Sequence, residues 1–204
     1  MAAGKSTIAK AVAEKYNAKH INEEFKENPY LEKYYSDMKK YVYDMQMWYL
    51  QKRIEQLVQY KDYSIVVQDQ MIDAFGYVFP MMQEAAGYLT CHDLARLEHL
   101  TDKYTFDFND EIFSNEIIIY LRFYKDDIKE ILKRINSRGR NYEREIKEDY
   151  LSSLIDKYEL WYKENNASKN ILVSDALCPV DFILQNITDA LINKEKKDGD
   201  NAYG

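Results

Sequence analysis

The N-terminal run MAAGKST brings together Gly4, Lys5, Ser6 and Thr7, residue types suited to holding phosphate. A phosphate-binding loop reads G-x-x-x-x-G-K-[ST] and follows a buried strand. Gly4, Lys5 and Ser6 fit its end, and its first glycine would fall two positions before Met1. In such a loop, backbone N–H groups at a helix start hold phosphate oxygens. Lys5 would reach the β- and γ-phosphates and Ser6 would ligate Mg²⁺. The competing reading is a plain helix start with Ser6 or Thr7 as N-cap.

A second constellation fits the same ligand. RINSRGR supplies Arg134, Arg138 and Arg140 around Gly139. It reads either as a solvated helix end or as a basic lid over a triphosphate, since guanidinium forks match phosphate oxygens. Glu23 and Glu24 follow a short strand-like run, where a carboxylate could take a proton from a hydroxyl; otherwise they are surface acids. Gln46 sits among Met45, Met47 and Trp48, so its amide is either a structural bridge or a reader of a polar ligand. His92 and His99, with Cys91 beside the first, lack recognised zinc spacing and read as surface residues.

The elements that position these groups alternate in type. Ile8, Ala11, Val12 and Tyr16 predict a helix over 7–16, and Met38, Tyr41, Val42, Met45, Trp48 and Tyr49 one over 38–60. Two further helices are expected within 73–110, the second capped by Thr90 with Asp93. Asp126 is expected to cap a helix through Ile135, another spans about 147–165, and Pro179 suits the first turn of the last. Short apolar runs near 20–23, 64–68, 116–121 and 170–174 read as buried parallel strands. The pattern predicts an α/β protein with a parallel sheet. A fifth, central strand is expected just before Met1 if the phosphate loop is real. Residues 1–193 form one domain with a basic lid at 134–146, and 194–204 are expected to be a disordered tail.

Composition narrows the classes. The chain has 204 residues, 46% hydrophobic and 31% charged, and a net charge of -7. That balance argues against a nucleic-acid coat. No apolar run reaches the roughly 18 residues of a membrane span, and no secretory signal is visible. Two cysteines are too few for a disulfide framework, so the expected compartment is the cytoplasm.

Taken in order, GKST, E-x-x-x-x-NP-x-L-x-x-YY, the glutamine of YVYDMQMWYL, an Asp after SIVV, and IIIYLRFYKDDIKEILKRINSRGRNYE resemble the deoxynucleoside kinase family from Met1 to about Asp175. The resemblance implies a three-layer P-loop kinase fold with five parallel strands, four of them visible here, and a homodimer. It implies ATP and Mg²⁺ as cofactors and a deoxynucleoside as substrate. Glu23 matches the base acting on the 5′-hydroxyl, Tyr35 and Glu143 the pair holding the 3′-hydroxyl, and Gln46 the residue bonding the nucleobase. Gly4, Lys5, Ser6 and Thr7 match the phosphate loop, Ser6 and Asp69 the metal contacts, and Arg134, Arg138 and Arg140 the lid.

The sequence also departs from the family pattern. Where the family has [DE]-R-S, this chain has Asp69-Gln70-Met71. Six positions past Asp69, an acid that helps read the base in many members is Phe75, with Asp73 expected to face elsewhere. The front of the phosphate loop is not in this sequence, as expected of a misplaced start or a lost gene segment. The expected activity is phosphorylation of a deoxynucleoside, with a purine preference. The alternatives are a catalytically impaired or regulatory relative, and a nucleoside monophosphate kinase.

Overall fold

The computed structural model describes residues 3–22, 27–139 and 146–201, with side chains through 192. Glu23, Arg140 and Glu143 therefore lie outside the described residues, as do Met1 and Ala2.

Helix α1, Lys5–Tyr16, opens at Gly4, whose φ of 77° is left-handed and whose position carries no side-chain cap. Such a φ suits glycine, which has no Cβ to clash. Ile8, Ala9, Val12 and Ala13 are its buried face. β1, Lys19–Ile21, leads toward the short α2, Leu31–Ser36. The long α3, Met38–Tyr60, starts at Asp37, whose carboxylate accepts from Lys40 N at 3.2 Å. Its buried face holds Val42, Met45, Tyr49, Leu50 and Ile54, and with them Gln46, Arg53 and Gln56.

β2, Val66–Gln68, runs into a π-helical turn, Ala74–Val78, and then α4, Phe79–Ala85. Gly76 is required there. A Cβ on it would lie 1.9 Å from Thr101 Oγ1 on α5, Cys91–Asp107. The Thr90–Asp93 capping box of α5 is present, with Asp93 N donating to Thr90 Oγ1 at 3.1 Å. β3, Ile118–Arg122, precedes α6, Ile128–Arg138. The expected Asp126 cap is absent: a 3-10 turn, Lys125–Asp127, precedes α6, and there Tyr124 N donates to the Asp127 carboxylate at 2.8 Å. α7, Glu148–Asn165, buries Leu151, Leu154 and Trp161, and β4, Ile171–Asp175, leads to α8, Val180–Asn201. α8 thus continues past Asn193, where the sequence predicts a tail.

All pairing among the described strands is parallel, as the apolar runs imply. Lys19 of β1 aligns with Val66 of β2, and Ile118 of β3 with Ile171 of β4. The four strands form two pairs rather than one sheet. Between the pairs lies a cavity of about 660 Å³, lined by Val66 and Val67 of β2, Ile118 and Ile119 of β3, α1 on one side and Leu154 and Tyr158 of α7. Parallel strands hydrogen-bond only at about 4.8 Å spacing, so β2 and β3 cannot pair across it. The main core joins α1, α6 and α8 through Ile8, Val12, Ile131, Ile135, Ile183 and Ile187.

Candidate active site

The expected phosphate-loop residues meet the end of β2. The first helical bond of α1 runs from Ile8 N to Gly4 O at 2.9 Å. The amides of Lys5, Ser6 and Thr7 precede it, so they are open to an anion. Ser6 is not a cap; its hydroxyl donates to the Asp69 carboxylate, 63 residues away. Asp69 is 3% exposed, and its other oxygen is buried without a partner among the described residues. A buried, unpaired carboxylate oxygen beside a hydroxyl is a hard oxygen donor set, which fits Mg²⁺ held by one carboxylate, phosphates and waters. Lys5 lines the same space as Asp69 and Gln70. No cluster of three or more His, Cys, Asp or Glu suited to a metal exists among the described residues, His92, His99 and Cys91 included.

A second group lies on α3 and the turn after β2. Gln46 is 3% exposed, and its Nε2 donates to Gln83 Oε1 at 2.9 Å. Around it, Met45, Tyr49 and Phe75 form a small core packed by Tyr30, Tyr34, Trp48 and Phe79. Phe75 stacks on Tyr49 with centroids 4.9 Å apart and lies 5.9 Å from Phe79. Tyr35 stays exposed and meets Tyr34 edge to face at 5.3 Å. Asn28 supports the segment after β1: its Nδ2 donates to Met45 O at 3.1 Å.

Arg53 escaped the sequence reading. It is 2% exposed, donates to Asn22 O at 3.3 Å, and carries its guanidinium over the Phe75 ring at 5.6 Å. Asn22 directly precedes Glu23, so Arg53 ties α3 to the segment that carries the expected base. Helical spacing puts Arg53 on the same face as Gln46, two turns on, but does not show whether a long cation stays there.

The residues that depart from the family pattern are firmly engaged. Gln70 is buried, and its Nε2 donates to the Tyr158 hydroxyl of α7 at 2.9 Å. Asp73 accepts from Trp161 Nε1 at 2.8 Å and pairs with Lys169. Those bonds use its carboxylate on α7 and on the residues before β4, the separation from Phe75 expected from its place in the turn.

Of the expected lid residues, Arg134 is held on α6 and beyond. Its Nε donates to Glu130 at 3.2 Å and its Nη1 to Ala176 O at 3.2 Å. Arg138 is exposed in the last turn of α6, and Gly139 ends that helix with a φ of 66°. The site thus joins Ser6 with Asp69, and Gln46 with Phe75 and Arg53. Arg134 is bonded to the carbonyl just after β4.

A family model described as deoxynucleoside kinase matches residues 1–198. The chain is 30% identical over 162 residues to a deoxyguanosine kinase of Bacillus subtilis, covering 79% of this chain and 74% of that protein. It is 30% identical over 170 residues to a deoxyadenosine/deoxycytidine kinase of the same organism, covering 80% and 74%. Among solved structures it matches a deoxyadenosine kinase from M. mycoides with products dCMP and a flexible dCDP bound, at 31% identity and a TM-score of 0.76 over 95% of each chain. The same enzyme with bound dATP gives a TM-score of 0.72 at 31% identity, covering 94% of this chain and 95% of that one.

Proposed function

The chain belongs to the deoxynucleoside kinase family, whose members transfer a phosphoryl group from ATP to a deoxynucleoside hydroxyl, and we propose that this chain does so on the 5′-hydroxyl of a purine deoxynucleoside with Mg²⁺. The observation that carries the reading is the Ser6–Asp69 hydrogen bond, which draws the end of the phosphate loop to the end of β2.

Phosphoryl transfer needs little covalent help from a protein; it needs positioning and charge stabilisation. The open amides of α1 and Lys5 receive the donor phosphates. Ser6 and Asp69 would hold Mg²⁺, which offsets charge on those phosphates. Glu23 takes the 5′-hydroxyl proton, on a segment whose Asn22 carbonyl is held by Arg53. Gln46 bonds the base beside the packed Phe75, Phe79 and Tyr49 rings, and Tyr35 with Glu143 holds the 3′-hydroxyl. Arg134, Arg138 and Arg140 supply lid charge. The B. subtilis deoxyguanosine and M. mycoides deoxyadenosine relatives support a purine substrate. A cytoplasmic homodimer is part of the same proposal, checked by sizing the protein in solution.

The test is a panel of four deoxynucleosides with ATP, with and without Mg²⁺. Phosphorylation of deoxyadenosine or deoxyguanosine at the 5′ position is expected, and none without the metal. Phosphorylation of monophosphates alone would overturn the reading. One observation favours an impaired relative: the Gln70 amide bonds Tyr158, leaving an uncharged group where the family carries arginine. That reading expects nucleoside binding with turnover far below the usual range of about 1–100 s⁻¹ for kinases.

A further inference from the structure

We propose that Gln83 sets the hydrogen-bond polarity of Gln46 and so decides, in each of its two orientations, which class of nucleobase the pocket accepts. The inference rests on the reading of Gln46 as the base-binding residue.

The Gln46 side chain is half satisfied. Its Nε2 donates to Gln83 Oε1 at 2.9 Å, while its own Oε1 is buried with no partner among the described residues. An orphaned buried acceptor costs about 1–3 kcal/mol, so the arrangement calls for a ligand that brings a donor. Burial raises the pKa of the Tyr34 hydroxyl, and the Gln83 amide beside it opposes that rise. Its backbone is fixed as well, because Gln83 O accepts from Tyr88 N at 2.9 Å and Leu89 N at 3.2 Å. The result is a chain of three side chains drawn from α3, α4 and α2.

That chain can run in two directions. In one, Gln46 donates to Gln83 and Gln83 donates to the Tyr34 oxygen. In the other, the Tyr34 hydroxyl donates to Gln83 and Gln83 donates to Gln46 Oε1. Both are satisfied, because a phenol donates and accepts, and an amide has near-isosteric oxygen and NH₂ ends. Reversal exchanges the acceptor and the donor that Gln46 turns to its ligand.

Nucleobases divide along the same line. Adenine and cytosine offer an exocyclic NH₂ donor beside a ring-nitrogen acceptor. Guanine and thymine offer a carbonyl acceptor beside a ring N–H donor. The native relay therefore admits both classes by reversing. Apolar walls at Phe75, Phe79 and Tyr49 make a mismatch expensive, since a polar group left unpaired in such a pocket is rejected strongly.

The experiment replaces the reversible amide with one-way groups. Gln83→Glu only accepts, so it holds the Gln46 NH₂ toward position 83. Gln83→Lys only donates, so it holds the Gln46 oxygen there. Dissociation constants and kcat/KM are measured for all four deoxynucleosides, binding by calorimetry so that the result does not depend on turnover. We expect the deoxyadenosine-to-deoxyguanosine ratio to move by about 10-fold or more, in opposite directions in the two variants. Deoxycytidine should follow deoxyadenosine, and thymidine should follow deoxyguanosine. A purely structural role predicts equal losses for every base in both variants, and that result overturns the proposal. Gln46→Leu separates the two levels. If it abolishes discrimination while the Gln83 variants leave the ratio unchanged, the relay is wrong and base reading by Gln46 stands. If Gln46→Leu alters no nucleoside's binding or turnover, base reading fails and the relay with it. Either Gln83 variant alone, if only one folds, still decides whether the ratio shifts.

Discussion

Gln70 and Tyr158, 88 residues apart, are joined by a 2.9 Å hydrogen bond that fastens the end of β2 to α7. This position carries arginine in the family pattern, next to the expected base and the transferring phosphoryl group. A neutral amide turned to α7 offers no charge to the transition state. Only interactions stronger in the transition state than in the ground state raise turnover. Gln70→Arg is therefore expected to raise kcat by about 10-fold to 10³-fold, measured with and without Phe75→Asp because Phe75 is packed between Tyr49 and Phe79. A wild type already at ordinary kinase rates, slowed by Gln70→Arg, would show a pocket rebuilt for another acceptor.

Glu23 follows Asn22, whose carbonyl is held by the buried Arg53. If Glu23 takes the 5′-hydroxyl proton, Glu23→Gln lowers kcat by about 10²-fold or more with a smaller change in KM. Steady-state kinetics on the best deoxynucleoside settles it. Full activity in the variant would leave Glu23 as a surface acid.

Gly76 tests the packing that holds Phe75. A Cβ there would sit 1.9 Å from Thr101 Oγ1, and Thr101 is buried and bonded to Leu97 O at 2.9 Å. The side chain on α5 has nowhere to go, so the turn must shift. Gly76→Ala is expected to cost about 1–3 kcal/mol of stability, read from urea unfolding, and to weaken nucleoside binding by displacing Phe75. An unchanged midpoint would mean that α5 yields freely.

The strands were legible because buried parallel strands are short apolar runs: EIIIYL announces β3 with no help from the rest of the chain. Thr90 with Asp93 was legible because a capping box is local. Gln83 was not, since its partner Gln46 lies 37 residues away and an amide on an amphipathic helix looks like surface. Arg53 was hidden for a related reason: helical spacing puts it on the apolar face, but spacing does not tell whether a long cation stays there or reaches solvent. The π-helical turns at Ala74–Val78 and Asn109–Phe113 break the 3.6 period that helix reading relies on. The split into two strand pairs depends on contacts between distant segments, which no local pattern records.

Glu116 gives a pH dependence of known sign. Its carboxyl is pushed up from 4.5 to about 7, chiefly by burial, then by Asp73, with Lys169 opposing. The folded protein keeps a proton that the unfolded chain releases between those values. Stability therefore falls as pH rises through that window and levels off above it. One such group gives a slope of at most about 1.4 kcal/mol per pH unit. Unfolding free energies measured across the window should show the fall in wild type and a shallower one in Glu116→Gln. Identical slopes would exclude Glu116 as the group responsible.

The cavity between the strand pairs makes the last prediction. Much of its lining is apolar: Ile8 and Val12 on one side, Leu154 and Ile155 on the other, with Val67 and Ile119 along the flanking strands. Ala3, at the entry to α1, also lines it. A chain leading into Ala3 in extended form would run beside β2 and β3, present N–H and C=O groups to both edges, and bury alternate side chains against α1 and α7. β3 has five residues, which sets the length of strand that the space accommodates. Fusing a strand of about that length, rich in Val and Ile and followed by a G-x linker to Met1, should fill the gap. It would convert two pairs into one continuous parallel sheet and place additional backbone amides at the phosphate loop. The expected gain is at least about 1 kcal/mol, or about 2–4 °C in Tm for a chain of this size, together with tighter ATP binding. A polar sequence of equal length is the control, because it offers the same backbone but cannot accept burial on both faces. If the apolar and polar extensions behave alike, the cavity is not a strand site, and the two pairs are stable as they stand.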